Sequence, residues 1–201
     1  MAADAPRSLA GRHLLLCVSG GIAVYKAADL VRRLREAGAT VQVAMTENAQ
    51  RFVGTTTFQA LSGAPVRTSL WDATAEAAMG HIELARWADR IIVAPATANT
   101  LAKLAHGFAD DLVSTLCLAT TAPLTVCPAM NHRMWLHPAT QANIALLRER
   151  GAQIIGPEDG PLAEGESGPG RLSEPLAIVA ALAQAFGQAS DSPPSSQATG
   201  A

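Results

Sequence analysis

The sequence is poor in charged residues and in aromatic residues, and each shortage narrows the possible functions. Charged residues make up 16% of the 201 residues and the formal net charge is -2, so neither nucleic acid nor an anionic membrane is expected as a partner. Aromatic residues make up 4% against a hydrophobic total of 49%, which predicts a core of Ala, Leu, Val and Ile. A chain of this length and composition is expected to fold as one globular domain.

Cysteine is also scarce, and no long apolar run is present. Cys17, Cys117 and Cys127 are too far apart for a Cys-x-x-Cys motif, so neither a zinc site nor a redox dithiol is predicted, and no metal site is expected. We expect the three thiols to be small buried groups. No apolar stretch reaches the ~20 residues of a membrane span, and residues 1–11 lack the apolar run of a signal peptide. A cytoplasmic location is therefore predicted.

Strands alternate with helices along the chain. An apolar run at 13–18 predicts a strand, a glycine turn follows, residues 22–36 have helical apolar spacing, and residues 40–45 predict a second strand. The alternation then continues with strands at 90–94, 124–127 and 153–155 and helices at 100–118, 138–150 and 176–186. This pattern predicts an α/β fold with a doubly wound, Rossmann-like or flavodoxin-like parallel sheet.

The domain is predicted to be single and to span residues 1–187. Residues 188–201 consist of Gln, Ala, Ser, Asp, Pro, Thr and Gly, a composition that buries too little apolar surface to offset the entropy of ordering. We therefore expect residues 188–201 to form a disordered tail.

Ligands of doubly wound sheets bind at the carboxyl ends of the strands, where two polar turns are predicted. Ser19, Gly20 and Gly21 follow the first strand and precede a helix, so their N–H groups suit a phosphate, although the spacing matches neither GxGxxG nor a Walker motif. An ordinary strand-to-helix turn is the alternative. Thr97 and Asn99 follow a buried strand and either belong to the same ligand site or cap the next helix.

Two further segments carry candidate functional side chains. His81 begins a short amphipathic segment, and its imidazole can act as a base or an acid near neutral pH, although a lone histidine is also a common helix cap or surface residue. Asn131 follows a strand that ends at Pro128, and its amide can bind a carboxylate. The neighbouring Met130 and Met134 either contact the same ligand or pack against the core.

These segments together resemble the homo-oligomeric flavin-containing cysteine decarboxylases over residues 13–175. The resemblance is carried, in order and in register, by residues 19–26, 46–53, 81–84, 87–89, 95–100 and 128–135. It implies that FMN is bound by Ser19, Gly20, Gly21, Ile22, Thr46, Thr97, Ala98, Asn99 and Thr100. It also implies that His81 is catalytic, that Asn131, Met130 and Met134 bind a substrate ending in cysteine, and that sites are shared between subunits of a homotrimer, with a homododecamer as the larger alternative.

The resemblance also implies a reaction. An ordinary cysteine carboxyl cannot lose carbon dioxide directly because the resulting carbanion has no electron sink; oxidation of the side chain to a thioaldehyde by flavin provides that sink, and decarboxylation then gives an enethiol. In the branch that serves coenzyme A biosynthesis, reduced flavin returns the hydride to the enethiol and a loop cysteine supplies a proton, so that 4'-phosphopantothenoylcysteine becomes 4'-phosphopantetheine.

One residue departs from that branch. Glu164 occupies the position where the coenzyme A branch has a proton-donating cysteine in an Ala-Cys-Gly pattern. A carboxyl whose pKa is raised by burial can donate the proton instead, and the alternative for Glu164 is a solvated loop carboxylate. Two other readings stay open: release of an enethiol from a C-terminal peptidyl cysteine, and a non-catalytic flavoprotein that regulates a phosphatase. The glycine-rich segment at 165–171 favours the coenzyme A branch.

Overall fold

A five-stranded parallel sheet forms the centre of the protein. The structure, a computed structural model, describes residues 8–71, 80–163 and 165–190. The strands are β1 (His13–Val18), β2 (Thr40–Met45), β3 (Arg90–Ala96), β4 (Leu124–Pro128) and β5 (Gln153–Ile154). Their order is β2-β1-β3-β4-β5, the flavodoxin-type order, in which the winding reverses between β1 and β3. The predicted doubly wound, single-domain α/β fold is confirmed.

Helices cover both faces of this sheet. They are α1 (Val24–Glu36), α2 (Glu47–Gln50), α3 (Thr55–Ser62), α4 (His81–Trp87), α5 (Ala98–His106), α6 (Leu112–Ala119), α7 (His132–Leu136), α8 (Pro138–Glu149) and α9 (Pro175–Ser190). Side chains alternate along β1, so that Leu14 and Leu16 pack in a core with α1 and α9, whereas Leu15 packs in a second core with α5 and α6. Two buried faces explain why the strands are continuous apolar runs.

A two-stranded antiparallel hairpin lies outside the central sheet. It consists of β6 (Glu158–Pro161) and β7 (Ser167–Arg171). The sequence did not predict this hairpin because its strands are rich in glycine, proline and charge instead of β-branched residues. It follows the last strand of the sheet and precedes α9, which places it beside the carboxyl edge.

Two helix predictions differ from the structure. The helix predicted over 100–118 is two helices, because Gly107 ends α5 at a φ of 72° and Asp111 begins α6 through a reciprocal hydrogen-bonded cap with Ser114. Helix α9 continues to Ser190, three residues into the predicted tail, and residues 191–201 lie outside the described part of the chain. Within the described ranges, no helix combines the length and apolar character needed to cross a membrane.

Candidate functional site

The turn between β1 and α1 leaves its backbone close to a neighbouring helix. A Cβ added at Gly20 would lie 2.5 Å from Asn48 Cβ and 2.6 Å from the Asn48 carbonyl carbon, so only glycine fits there. Asn48 belongs to α2, which begins at Thr46, whose hydroxyl accepts the Ala49 N–H. No described side chain caps the N-terminus of α1. The turn therefore combines a close backbone approach with a helix end suited to an anion.

The loop between β3 and α5 is tied to this turn by hydroxyl groups. Ser19 Oγ donates to the Pro95 carbonyl oxygen at 2.7 Å and accepts the Thr97 N–H at 3.0 Å. Thr97 in turn caps α5, since its Oγ1 accepts the Thr100 N–H at 3.3 Å. These bonds join the carboxyl ends of β1 and β3, the point at which the sheet's winding reverses and ligands of such folds bind.

The segment after β4 brings an amide and two thioethers to the same edge. Asn131 caps the short helix α7 by accepting the Arg133 N–H at Oδ1, at 2.8 Å. The Met130 N–H donates to the Gly170 carbonyl oxygen at 3.0 Å, which joins this segment to β7. A Cβ at Gly170 would overlap the Met130 carbonyl oxygen, so glycine at this position permits the close approach of β7.

The hairpin is held over the sheet edge at both of its ends. Near its tip, the Glu166 carboxylate accepts from Arg133 at 2.8 Å and lies 3.3 Å from His132 Nδ1. Beyond β7, Lys26 Nζ donates to the Leu172 carbonyl oxygen at 3.1 Å and to Glu174 at 2.7 Å. The hairpin is thus fixed to α7 on one side and to α1 on the other.

A cavity of about 520 Å³ lies where these segments meet. Its described lining is mostly apolar, with few polar groups, which is the composition expected of a small-molecule site. The lining residues are Gly20, Gly21, Ile22, Ala23, Tyr25, Lys26, Thr97, Ala98, Ala129, Met130, Asn131, Met134, Pro161, Leu162, Ala163, Gly170, Arg171 and Leu172.

Most of the residues predicted to bind cofactor or substrate line this cavity. They are Gly20, Gly21, Ile22, Thr97, Ala98, Met130, Asn131 and Met134. Four others lie outside the lining. Ser19 and Thr100 are buried, Thr46 caps α2, and Asn99 is exposed on α5.

The two residues predicted to be catalytic stand apart from the other candidates. His81 is the half-buried first residue of α4, and α4 contributes no residue to the described lining of the cavity. Glu164 lies outside the described residues; its neighbour in the sequence, Ala163, lines the cavity.

Sequence reasoning gave no binding role to the hairpin residues of the lining or to its two cations, Lys26 and Arg171. A signal for the hairpin was present, because four glycines occur within a short polar stretch, at Gly160, Gly165, Gly168 and Gly170. No local pattern identifies Lys26, whose partners lie 146 and 148 residues further along the chain.

Two of the three cysteines are buried in the core, as predicted. Cys17 and Cys127 are fully buried and Cys117 is half-buried. A hydrogen bond with Cys117, together with burial, raises the pKa of the Cys17 thiol well above its usual value, and burial raises the pKa of Cys127 to about 12. None of the three lines the cavity, so they are not candidates for its acid–base chemistry.

Comparisons with known proteins identify the family of this chain. A family model described as Flavoprotein matches residues 2–187. The chain is 58% identical over 172 residues to the coenzyme A biosynthesis bifunctional protein CoaBC of Escherichia coli (strain K12), covering 86% of this chain and 42% of that protein. It is 50% identical over 185 residues to CoaBC of Bacillus subtilis (strain 168), covering 92% of this chain and 46% of that protein. The chain thus spans about half the length of these relatives.

Solved structures are similar over nearly the whole chain. A PPC decarboxylase variant complexed with pantothenoylaminoethenethiol superimposes with a TM-score of 0.77 at 32% identity, covering 88% of this chain and 98% of the other. The FMN-dependent cysteine decarboxylase SpaF superimposes with a TM-score of 0.72 at 31% identity, covering 88% and 99%. The predicted resemblance is confirmed: the chain belongs to the Flavoprotein family, as a relative of the FMN-dependent cysteine decarboxylases.

Proposed function

We propose that this chain is an FMN-dependent cysteine decarboxylase that converts 4'-phosphopantothenoylcysteine to 4'-phosphopantetheine. The observation that carries the proposal is the cavity at the carboxyl edge of the sheet, where the glycine turn, the Thr97 loop and the Asn131 segment meet under the β6–β7 hairpin. The relatives named in coenzyme A biosynthesis and the PPC decarboxylase fold support this substrate over a peptide. A cytoplasmic location and a homotrimeric or dodecameric assembly belong to the same proposal.

The residues present fit FMN. Gly20 allows the β1–α1 turn to approach α2 closely, and the N-terminus of α1 offers N–H groups for the phosphate. Apolar surface for the flavin ring is available from Ile22, Ala98 and Ala129. When bound, FMN supplies the two-electron acceptor for oxidation of the cysteine side chain.

The segment after β4 is suited to hold the substrate. The Arg133 N–H bonded to Asn131 Oδ1 fixes the orientation of the amide, whose NH2 group is a donor for the substrate carboxylate. Met130 and Met134 give flexible apolar contacts for the pantetheine-like chain. The hairpin is anchored by Lys26 and Glu166.

The product distinguishes the possible reactions. Purified protein reconstituted with FMN should be incubated aerobically with phosphopantothenoylcysteine, and the products should be identified by mass. Phosphopantetheine with carbon dioxide is the expected result. Enethiol alone would show that the reductive half is missing, and no turnover with this substrate, together with turnover of a peptide ending in cysteine, would contradict the proposed substrate.

Alanine at Gly20 is expected to weaken FMN binding strongly. The added Cβ would lie 2.5 Å from Asn48, and relieving this overlap by moving the turn or α2 costs about 1–3 kcal/mol, or roughly 5- to 150-fold in affinity. The dissociation constant of FMN should be measured from the quenching of flavin fluorescence. Gly54→Ala is the control, because no atom lies within 4 Å of its added Cβ. Equal FMN affinity in the two variants would contradict this role of the turn.

Alanine at Gly170 is expected to disturb substrate binding more than FMN binding. Its Cβ would overlap the Met130 carbonyl oxygen and push β7 away from the Asn131 segment. We expect KM to rise about tenfold for a displacement that costs ~1–2 kcal/mol. Gly187→Ala, at an open position in α9, is the control. An unchanged KM with normal FMN content would show that the contact between β7 and Met130 does not shape the site.

A further inference from the structure

The cavity contains two cationic side chains, and they differ in how closely they are paired with acceptors of the protein itself. Lys26 and Arg171 are the only charged residues in its described lining. The ammonium group of Lys26 donates to the Leu172 carbonyl oxygen and to Glu174 at 2.7 Å, and its side chain is only 12% exposed. Lys26 is therefore committed to anchoring the chain after β7.

Arg171 is held much less tightly. Its nearest carboxylate among the described residues is Glu174, at 3.5 Å, and the same Glu174 oxygen is bonded by Lys26 at 2.7 Å. Glu158, its cross-strand neighbour, has an oxygen that accepts the Glu174 N–H at 3.4 Å. The Arg171 side chain is 36% exposed, so its guanidinium is within reach of both the cavity and solvent.

The hairpin also fixes where the guanidinium lies. A Cβ added at Gly160 would lie 2.7 Å from Arg171 Nη1 and 3.0 Å from Cδ. The Arg171 side chain therefore lies against the backbone of β6, in the space that a side chain at position 160 would fill. Gly160 has a φ of 149°, a conformation that favours glycine. A planar guanidinium held in this way presents donors in the geometry that matches a phosphate oxygen pair.

We propose that Arg171 binds the phosphate group of the substrate and selects phosphorylated over unphosphorylated pantothenoylcysteine. This inference rests on the proposed function, because it assumes that the cavity takes an N-acylcysteine of that class. It assigns the two cations separate roles: Lys26 holds the hairpin in place, and Arg171, on the hairpin, recognises the phosphate group of the substrate.

The test compares phosphopantothenoylcysteine with pantothenoylcysteine. For Arg171→Gln we expect KM for the phosphorylated substrate to rise about tenfold to hundredfold, as for loss of a charge-assisted hydrogen bond, with kcat little changed. KM for the unphosphorylated substrate should not change. Arg171→Lys should restore part of the preference because it keeps the charge but loses the planar fork. Arg148→Gln, a change at an exposed arginine on α8, should behave as wild type.

A binding measurement separates the phosphate of the substrate from that of FMN. Calorimetric titration with phosphopantetheine and pantetheine should show that the wild-type preference for the phosphorylated product is lost in Arg171→Gln, while the FMN dissociation constant is unchanged. Weaker FMN binding with the preference retained would assign Arg171 to the cofactor phosphate and overturn the inference. If the wild-type protein turns over the substrate and Arg171→Gln prefers the phosphorylated form to the same degree as wild type, the inference is overturned and the proposed function stands. Absence of carbon dioxide release by wild type from either substrate would refute the proposed function itself, and the inference with it.

Discussion

Asparagine in place of His81 is expected to lower the rate of carbon dioxide release by roughly 10²- to 10⁴-fold, the usual contribution of a general acid or base. The cysteine thiol must lose its proton as its side chain is oxidised, and histidine is the side chain that most often accepts a proton in such a step. Asparagine keeps a polar side chain of similar reach but cannot take up a proton near pH 7. FMN content should be unaffected, because α4 contributes nothing to the described cavity lining.

The rate of carbon dioxide release and the flavin absorbance per protein should be measured together. His106→Asn is the matched control, since His106 ends α5 and bonds to Asn143 at 3.1 Å on a different helix. Unchanged turnover in His81→Asn would remove His81 from the mechanism. Loss of turnover in both variants would indicate a general effect of removing an imidazole.

A mixing experiment tests how His81 reaches the substrate. Because α4 is absent from the described lining of the cavity, we expect His81 to act on a site that another copy of the chain completes. His81→Asn and Asn131→Ala, each inactive alone, should then regain activity when assembled together. Each shared site needs a wild-type His81 from one copy and a wild-type Asn131 from another. In an equal mixture, half of the chains carry each wild-type residue, so about a quarter of the sites would be intact. No recovery would place both residues in one chain's site.

The central sheet was predictable from sequence because its signals are local. The apolar run of β1 stops at Ser19, and both β1 and β2 match their predicted bounds. The hairpin was not predictable in this way, because it depends on contacts between distant residues. Its anchors join Arg133 to Glu166 and Lys26 to Glu174, pairs that are 33 and 148 positions apart.

The sequence indicated which loops meet at the candidate site, but it did not indicate what each side chain in those loops contacts. Polar residues at the ends of β1 and β3 indicated the edge of the sheet at which the cavity lies. The hydroxyls of Ser19, Thr46 and Thr100, however, bond to neighbouring parts of the chain. Sequence cannot distinguish a hydroxyl that binds a ligand from one that caps a helix, because both uses favour the same residue types at the same place. Their role as direct FMN ligands stays a prediction.

Alanine in place of Glu164 is expected to change the product instead of the rate of carbon dioxide release. Decarboxylation leaves an enethiol, and its reduction to the saturated thiol requires a proton at carbon as well as a hydride. None of the three cysteines lines the cavity, and the high pKa of Cys17 and Cys127 follows from their place in the core. Another group must therefore donate the proton, and Glu164 follows Ala163, which lines the cavity.

If Glu164 is that donor, the wild-type protein should release phosphopantetheine and Glu164→Ala should release almost only the enethiol. In air, where oxygen reoxidises the reduced flavin, the two proteins should give equal carbon dioxide yields. Glu164→Cys should restore the saturated product, because a thiol supplies the same proton. Glu149→Ala, at an exposed position on α8, is the control and should leave the product unchanged. Mass analysis of the products decides the matter. Saturated product from Glu164→Ala would show that Glu164 is an ordinary loop carboxylate. If wild type released the enethiol and only Glu164→Cys released the saturated product, the natural chain would stop at the oxidised product.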